Sequence, residues 1–287
     1  MRLASYVTPT RASYGIVEGN RVYDLGARLG AACPDLRSAL EAHGDQLAAL
    51  AQRVRGADAD YRVDDLVFLP VVPNPEKIVC VGLNYHAHRA EGNHKETKDP
   101  ALFLRVPESQ TGHERPLVCP AESDKFDYEC EIAIVIGRGG RRIPESEALS
   151  HIAGLSCYND GSVRDWQTVT NQWTSGKNFP ATGAFGPWMV TPDELSPAGE
   201  IGLRTRLNGV EMQSSHTGLL IFSFARLISF ISTVMTLRPG DVIVTGTPGG
   251  VGFRRDPQVW MKPGDVVEVE VDGIGVLRNT VVKETAA

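Results

Sequence analysis

Asp127-Tyr128-Glu129-Cys130-Glu131 puts a carboxylate at every second position, and Ile132-Ala133-Ile134-Val135-Ile136-Gly137 follows at once. The second run is apolar, largely β-branched and closed by glycine, as a buried strand would be. Side chains alternate faces along a strand, so Asp127, Glu129 and Glu131 are expected on one side, neighbours ~6.5–7 Å apart. Like charges at that spacing beside a hydrophobic run repel, and burial raises the cost. A divalent cation resolves the conflict, and hard oxygen ligands suit Mg²⁺, Mn²⁺ or Ca²⁺. A solvated acidic strand end is the bland alternative.

Further residues could do chemistry with such an ion. In Tyr85-His86-Ala87-His88-Arg89-Ala90-Glu91, a helical turn puts Tyr85, His88 and Glu91 on one face. A carboxylate beside an imidazole fixes its tautomer and supports its basicity. His86 and His94 lie nearby, and spacing alone does not select His88 over them. In Asn159-Asp160-Gly161-Ser162-Val163-Arg164-Asp165, either Asp160 or Asp165 could join Glu129 and Glu131. An ion pair with Arg164 or another Arg is the plain alternative for Asp165. Lys177 is expected in a glycine-containing loop, Thr174-Ser175-Gly176-Lys177-Asn178-Phe179, which lacks the spacing of a phosphate loop. Thr245-Gly246-Thr247-Pro248-Gly249-Gly250-Val251-Gly252 would let backbone N–H groups approach an anion such as a carboxylate.

The elements that must position these groups are short and mostly strands. Residues 1–72 read as a small α/β unit. It holds a hairpin turning at Glu18-Gly19-Asn20, a helix over 34–54 that Gly44 could divide, and a strand-like exit at Leu66–Pro70. Residues 73–287 form a second, β-rich unit. Strands are expected at 78–82, 101–107, 117–120, 151–158 and from 186, with a hairpin at Asn208-Gly209. Two Pro-Gly-Asp turns, at 239–241 and 263–265, each feed a further strand. Short helices are expected at 145–149 and a long apolar one over 215–236. Lys95–Asp99 has the composition of a mobile lid. The fold class is α+β, mainly β, a sandwich or barrel.

Composition narrows the field. The net charge of -6 comes without any Lys/Arg block, which argues against nucleic-acid binding. No apolar run is long enough for a membrane span, and Met1–Tyr6 lacks a signal-peptide hydrophobic region. The five cysteines show no zinc-like or redox-like spacing and read as small core residues of a reducing cytoplasm.

Taken together, Gly82–Glu91, Asp127–Glu131, Asn159–Gln167, Gly176-Lys177, Arg238–Asp241 and Thr245–Gly252 resemble, in this order, the fumarylacetoacetate hydrolase family. The resemblance covers about 77–283. It implies a rolled β-sandwich catalytic domain, usually dimeric, and a divalent metal on Glu129, Glu131 and Asp160, with Mg²⁺ or Mn²⁺ favoured and Ca²⁺ allowed. Asp165 then falls to a structural role. His88 and Glu91 become the water-activating pair, on a lid that orders with substrate. Lys177 and Thr247 contact substrate oxygens, with Tyr85 and Arg105 beside them. The chain departs from the pattern at Arg105, where members often carry Lys, and at Asn178, near where members often carry Asp. Both positions bear on substrate identity.

The implied reaction is hydrolysis of a 2,4-dioxo acid, an acylpyruvate such as fumarylpyruvate or maleylpyruvate, to pyruvate and a carboxylic acid. The near alternative is decarboxylation or isomerisation (tautomerisation) of a 2-oxo diacid, oxaloacetate or an unsaturated homoprotocatechuate-type diacid. A non-catalytic ligand-binding protein is the outside alternative. The partners expected are the small 2-oxo acid and a second copy of the chain.

Overall fold

The computed structural model describes residues 1–92 and 97–285. His94 and the first half of the expected lid lie outside the described residues.

Two sheets carry the molecule. The larger has 12 strands. Its path runs 61–62, Arg21–Asp24, Ala12–Glu18, Arg2–Val7, Gly183–Val190, Ile152–Asn159, Cys130–Ile136, Val242–Val244, Ile78–Gly82 and Ala101–Arg105. The smaller has 5 strands, ordered Val210–His216, Gly202–Leu207, Val266–Val271, Gly275–Lys283 and Leu117–Cys119. This is the expected mainly-β, α+β class. The N-terminal strands continue the larger sheet, because Arg2 and Leu3 pair with Val190 and Met189. No described helix is long and apolar enough to cross a membrane.

The strand Cys130–Ile136 lies at the centre and is buried along its whole length. Cys130, Ile132, Ile134 and Ile136 enter a core shared with the smaller sheet and the helix Phe224–Val234. Ala133 and Val135 face a second core under the N-terminal helix Leu36–His43. Burial on both faces explains why this strand reads as an unbroken apolar run rather than an alternation.

Several local expectations change. The helix expected over 215–236 spans only Phe224–Val234. Residues up to His216 stay in the smaller sheet, and Ser223 caps the helix by accepting from Arg226 N–H. Asn84 holds the intervening chain, accepting from Phe222 N–H and donating to Phe222 O and Thr245 O. The expected helix at 145–149 is a turn followed by a 3-10 segment, Ala148–His151. The helix over 34–54 divides at Gly44 into Leu36–His43 and a 3-10 stretch. The Asn208-Gly209 hairpin forms with both residues at positive φ, as its turn type requires. Both Pro-Gly-Asp turns form alike: Asp241 accepts from Arg238 N–H, and Asp265 from Lys262 N–H.

Candidate active site

Glu129, Glu131 and Asp160 converge, with one carboxylate oxygen from each within 4.8 Å of the others. Register brings them together. Cys130 pairs with Asn159 in the antiparallel ladder, so Glu129 and Asp160 face each other one step beyond it. Asp160 N–H donates to Glu129 O at 3.0 Å, and Glu129 N–H to the Asn159 side chain at 3.1 Å. Glu131 lies two residues along the same face. Asp127 does not join them. The chain leaves strand geometry at Tyr128-Glu129, and Asp127 turns away to accept from Gly252 N–H and Phe253 N–H.

Three buried cations surround the cluster. Lys177 Nζ lies 2.9 Å from Glu129 and 2.5 Å from Asp160. It ends a one-turn helix, Thr174–Lys177, where a loop was expected. Arg164 bridges Asp127, at 2.7 Å, and Glu129, at 2.6 Å. Arg105 reaches Asp160 at 2.5 Å. The plain alternative for Asp165, an ion pair with Arg164 or another Arg, does not form among the described residues; Asp165 accepts from Ser123 Oγ and the Trp166 N–H. Burial alone would raise Glu129, but Lys177 and Arg164 outweigh it and hold the carboxyl far below its usual range. Burial likewise opposes the charge on Lys177, and Asp160 and Glu129 overcome it, so its pKa rises.

Glu131 is the exception. Its partner is the Gly246 N–H, at 2.5 Å, and among the described residues no cation pairs with it. Burial, then the charges of Asp160 and Glu129, drive its pKa well above the usual carboxylate value. A buried carboxylate without a countercharge, beside two others, fits a hard divalent cation with oxygen ligands. The residues present therefore fit the metal that the sequence implied.

His88 and Glu91 occupy the short helix His86–Glu91, their side chains 3.3 Å apart. His86 is exposed on the same helix, so the structure separates the two histidines. The other Glu91 oxygen accepts from Gly250 N–H at 2.7 Å. Burial would raise the Glu91 carboxyl; the bonds from His88 and Gly250 outweigh it and hold it below its usual range. With Nδ1–H donating to Glu91, His88 presents Nε2 as its basic atom. The glycine loop thus does receive carboxylates, and they are the protein's own: Glu131, Glu91 and Asp127. Gly246 and Gly250 have φ near +100°, which only glycine adopts readily, and this aims their N–H groups at Glu131 and Glu91.

A cavity of about 130 Å³ joins these groups. His88, Glu129, Glu131, Lys177 and Thr247 line it, and Arg164, Trp173, Phe253 and Arg254 add walls. Its size suits a small acid, well below the ~300–1,000 Å³ of drug-sized sites. Two expected substrate contacts lie elsewhere. Tyr85 is 1% exposed and packs in the core beside Leu220, because it precedes the helix rather than riding its face. Arg105 stands behind Asp160, its guanidinium donating to Asp160, Gly161 O, Thr182, Ser109 Oγ and Ser109 O. A lysine has three donors and could not make those bonds together. Arg164 was missed as a site residue. Its sequence signal was its place in the Asn159–Gln167 phrase, four residues beyond Asp160.

A family model described as the fumarylacetoacetate (FAA) hydrolase C-terminal region matches residues 77–282. A mitochondrial oxaloacetate tautomerase from Xenopus laevis is 42% identical over 220 residues, 76% of this chain and 69% of that protein. The crystal structure of a 2-hydroxyhepta-2,4-diene-1,7-dioate isomerase from Mycobacterium marinum superposes with a TM-score of 0.78 at 30% identity, covering 100% of both chains. A maleylpyruvate hydrolase from Sphingobium sp. SYK-6, in complex with manganese(II) and pyruvate, superposes at 0.83 with 26% identity, covering 99% of this chain and 100% of that one.

Proposed function

The chain belongs to the fumarylacetoacetate hydrolase family, and on that premise we propose that it moves a proton on the carbon beside the carbonyl of a small 2-oxo acid, with keto–enol tautomerisation of an oxaloacetate-type diacid as its reaction. One observation carries this reading. A basic imidazole oriented by Glu91 and a buried carboxylate cluster with Lys177 line the same small cavity.

A divalent cation held by Glu129, Glu131 and Asp160 would act as a Lewis acid, drawing electron density from the 2-oxo group. His88 takes a proton from the carbon next to that group. The C–H electron pair becomes the new C=C bond, and the carbonyl oxygen receives the proton back from His88. Such acid–base help is typically worth ~10²–10⁴-fold. Lys177 stays protonated between Glu129 and Asp160, so a fixed positive charge stands where the enolate charge develops. Glu91 keeps the imidazole in one tautomer, and Thr247, held by Gln213, lines the wall.

Hydrolysis of an acylpyruvate, expected first from the sequence, becomes the second reading. It uses the same base to activate water, and the maleylpyruvate hydrolase of this fold favours it, though at lower identity than the tautomerase. The test follows the enol absorbance of oxaloacetate and the release of pyruvate in parallel, with Mn²⁺ and with EDTA. Metal-dependent equilibration without matching pyruvate supports tautomerisation. Faster release of pyruvate and acid from an acylpyruvate would install hydrolysis in its place. No metal-dependent turnover on either would leave a binding protein. The second copy of the chain remains the proposed partner, to be measured by light scattering.

A further inference from the structure

We propose that Arg254 reads the far carboxylate of the substrate, making this site selective for dicarboxylic over monocarboxylic 2-oxo acids. The inference rests on the proposed use of the cavity by a 2-oxo acid and names what its far end must carry.

Arg254 lines the cavity and is exposed at its rim. Among the described residues, no carboxylate forms an ion pair with it, in a protein whose net charge is -6. Its neighbour differs: Arg255 donates inward to Tyr128 Oη, Gly250 O and Met212 O, and so serves the fold. Arg254 instead lies over the Phe253 ring, its guanidinium carbon 4.6 Å from the ring centre. Stacking restrains the side chain without using its forked donors.

The same ring ties the rim to the floor. The Arg164 guanidinium lies 5.9 Å from the Phe253 centre, and its Nη1 lies 2.6 Å from Glu129. Two guanidinium groups therefore lie against one ring, and Arg164, Arg254, Phe253 and Val251 all line the same small cavity. Arg164 and Lys177 are already engaged by Asp127, Glu129 and Asp160; among the described residues lining the cavity, Arg254 is the guanidinium left to bind an anion. A ligand with its 2-oxo head on the floor and its reacting carbon under His88 would carry its far end toward Arg254. A carboxylate there gains a forked, charge-assisted contact, and a methyl group gains nothing comparable.

Malate and 2-hydroxybutanoate make a matched, unreactive pair of probes. They share the head and chain length and differ only in a far carboxylate against a methyl. Calorimetric titration of the Mn²⁺-loaded protein should show malate binding more tightly. Arg254→Gln should weaken malate by about tenfold, the size expected for one charged hydrogen-bonding contact. It should leave 2-hydroxybutanoate unchanged, and Arg254→Lys should recover part of the loss. Unchanged malate affinity in Arg254→Gln, or equal weakening of both ligands, overturns the proposal. If neither ligand binds the wild-type protein, the 2-oxo acid reading itself falls and takes this inference with it.

Discussion

Neutralising Glu131 and neutralising Asp160 should affect the metal-free protein very differently, although both would be ligands of one ion. Asp160 is fully buried and joins Arg105 and Lys177, each at 2.5 Å. Asp160→Asn leaves Arg105 without a carboxylate and Lys177 with Glu129 alone. Removing one partner from a buried pair costs about 3–5 kcal/mol. At about 2–4 °C per kcal/mol for a large domain, the metal-free midpoint should fall by about 10 °C. Among the described residues Glu131 has no cationic partner, and a glutamine oxygen can still accept from Gly246 N–H. Glu131→Gln should therefore shift the metal-free midpoint little, or upward, because glutamine is neutral without the proton uptake that burial and the charges of Asp160 and Glu129 impose on the Glu131 carboxyl. With Mn²⁺ at a hundredfold its dissociation constant, the wild-type protein should gain about 2.7 kcal/mol. Both variants should lose most of that gain. Thermal unfolding of the three proteins, with EDTA and across a Mn²⁺ series, is the assay. Equal losses in EDTA would refute the charge accounting. A wild-type metal response in Glu131→Gln would remove Glu131 from the ion's ligands.

His88→Ala should lower turnover by ~10²–10⁴-fold yet keep the Mn²⁺-induced rise in midpoint; wild-type turnover would remove it as the base. Asn84→Ala deletes three buried hydrogen bonds to Phe222 and Thr245. At about 1 kcal/mol each it should cost about 3 kcal/mol, measured by urea unfolding; a loss near zero would mean those segments hold their places without it. His113 supplies a pH test. Its Nδ1 accepts from Arg278 N–H, so the fold needs it neutral, and burial lowers its pKa. The unfolded chain then protonates first as pH falls. The contribution is complete above the unfolded value near 6.5 and declines below it, by at most about 1.4 kcal/mol per pH unit. The midpoint should drop less between pH 7 and 5 in His113→Gln than in the wild-type protein; parallel curves would exclude this linkage.

Much of the site was legible because its signals are local. Strand alternation put Glu129 and Glu131 on one side, and helical spacing joined His88 to Glu91. The Asn208-Gly209 turn announced its own hairpin, and the two Pro-Gly-Asp turns announced their strands. These depend on backbone periods of two and 3.6 residues and on glycine's freedom at positive φ, all written within a few positions of each other.

The tertiary structure decided what depends on residues far apart in the chain. Whether Asp160 or Asp165 joins the glutamates is a matter of ladder register, set by Cys130 against Asn159. Asp127 shares the parity of Glu129 but is diverted by N–H groups more than a hundred positions later. Arg105 became a clamp on Asp160 rather than a wall of the cavity, and Tyr85 went into the core. The long apolar stretch after residue 215 was divided between sheet and helix by Ser223 and Asn84. Propensity and pattern constrain a segment against its own neighbours. Partners supplied by other strands choose which of the permitted arrangements gives each buried charge a companion, and in the cluster of Glu129, Glu131 and Asp160 it is Glu131 that has no cation beside it among the described residues.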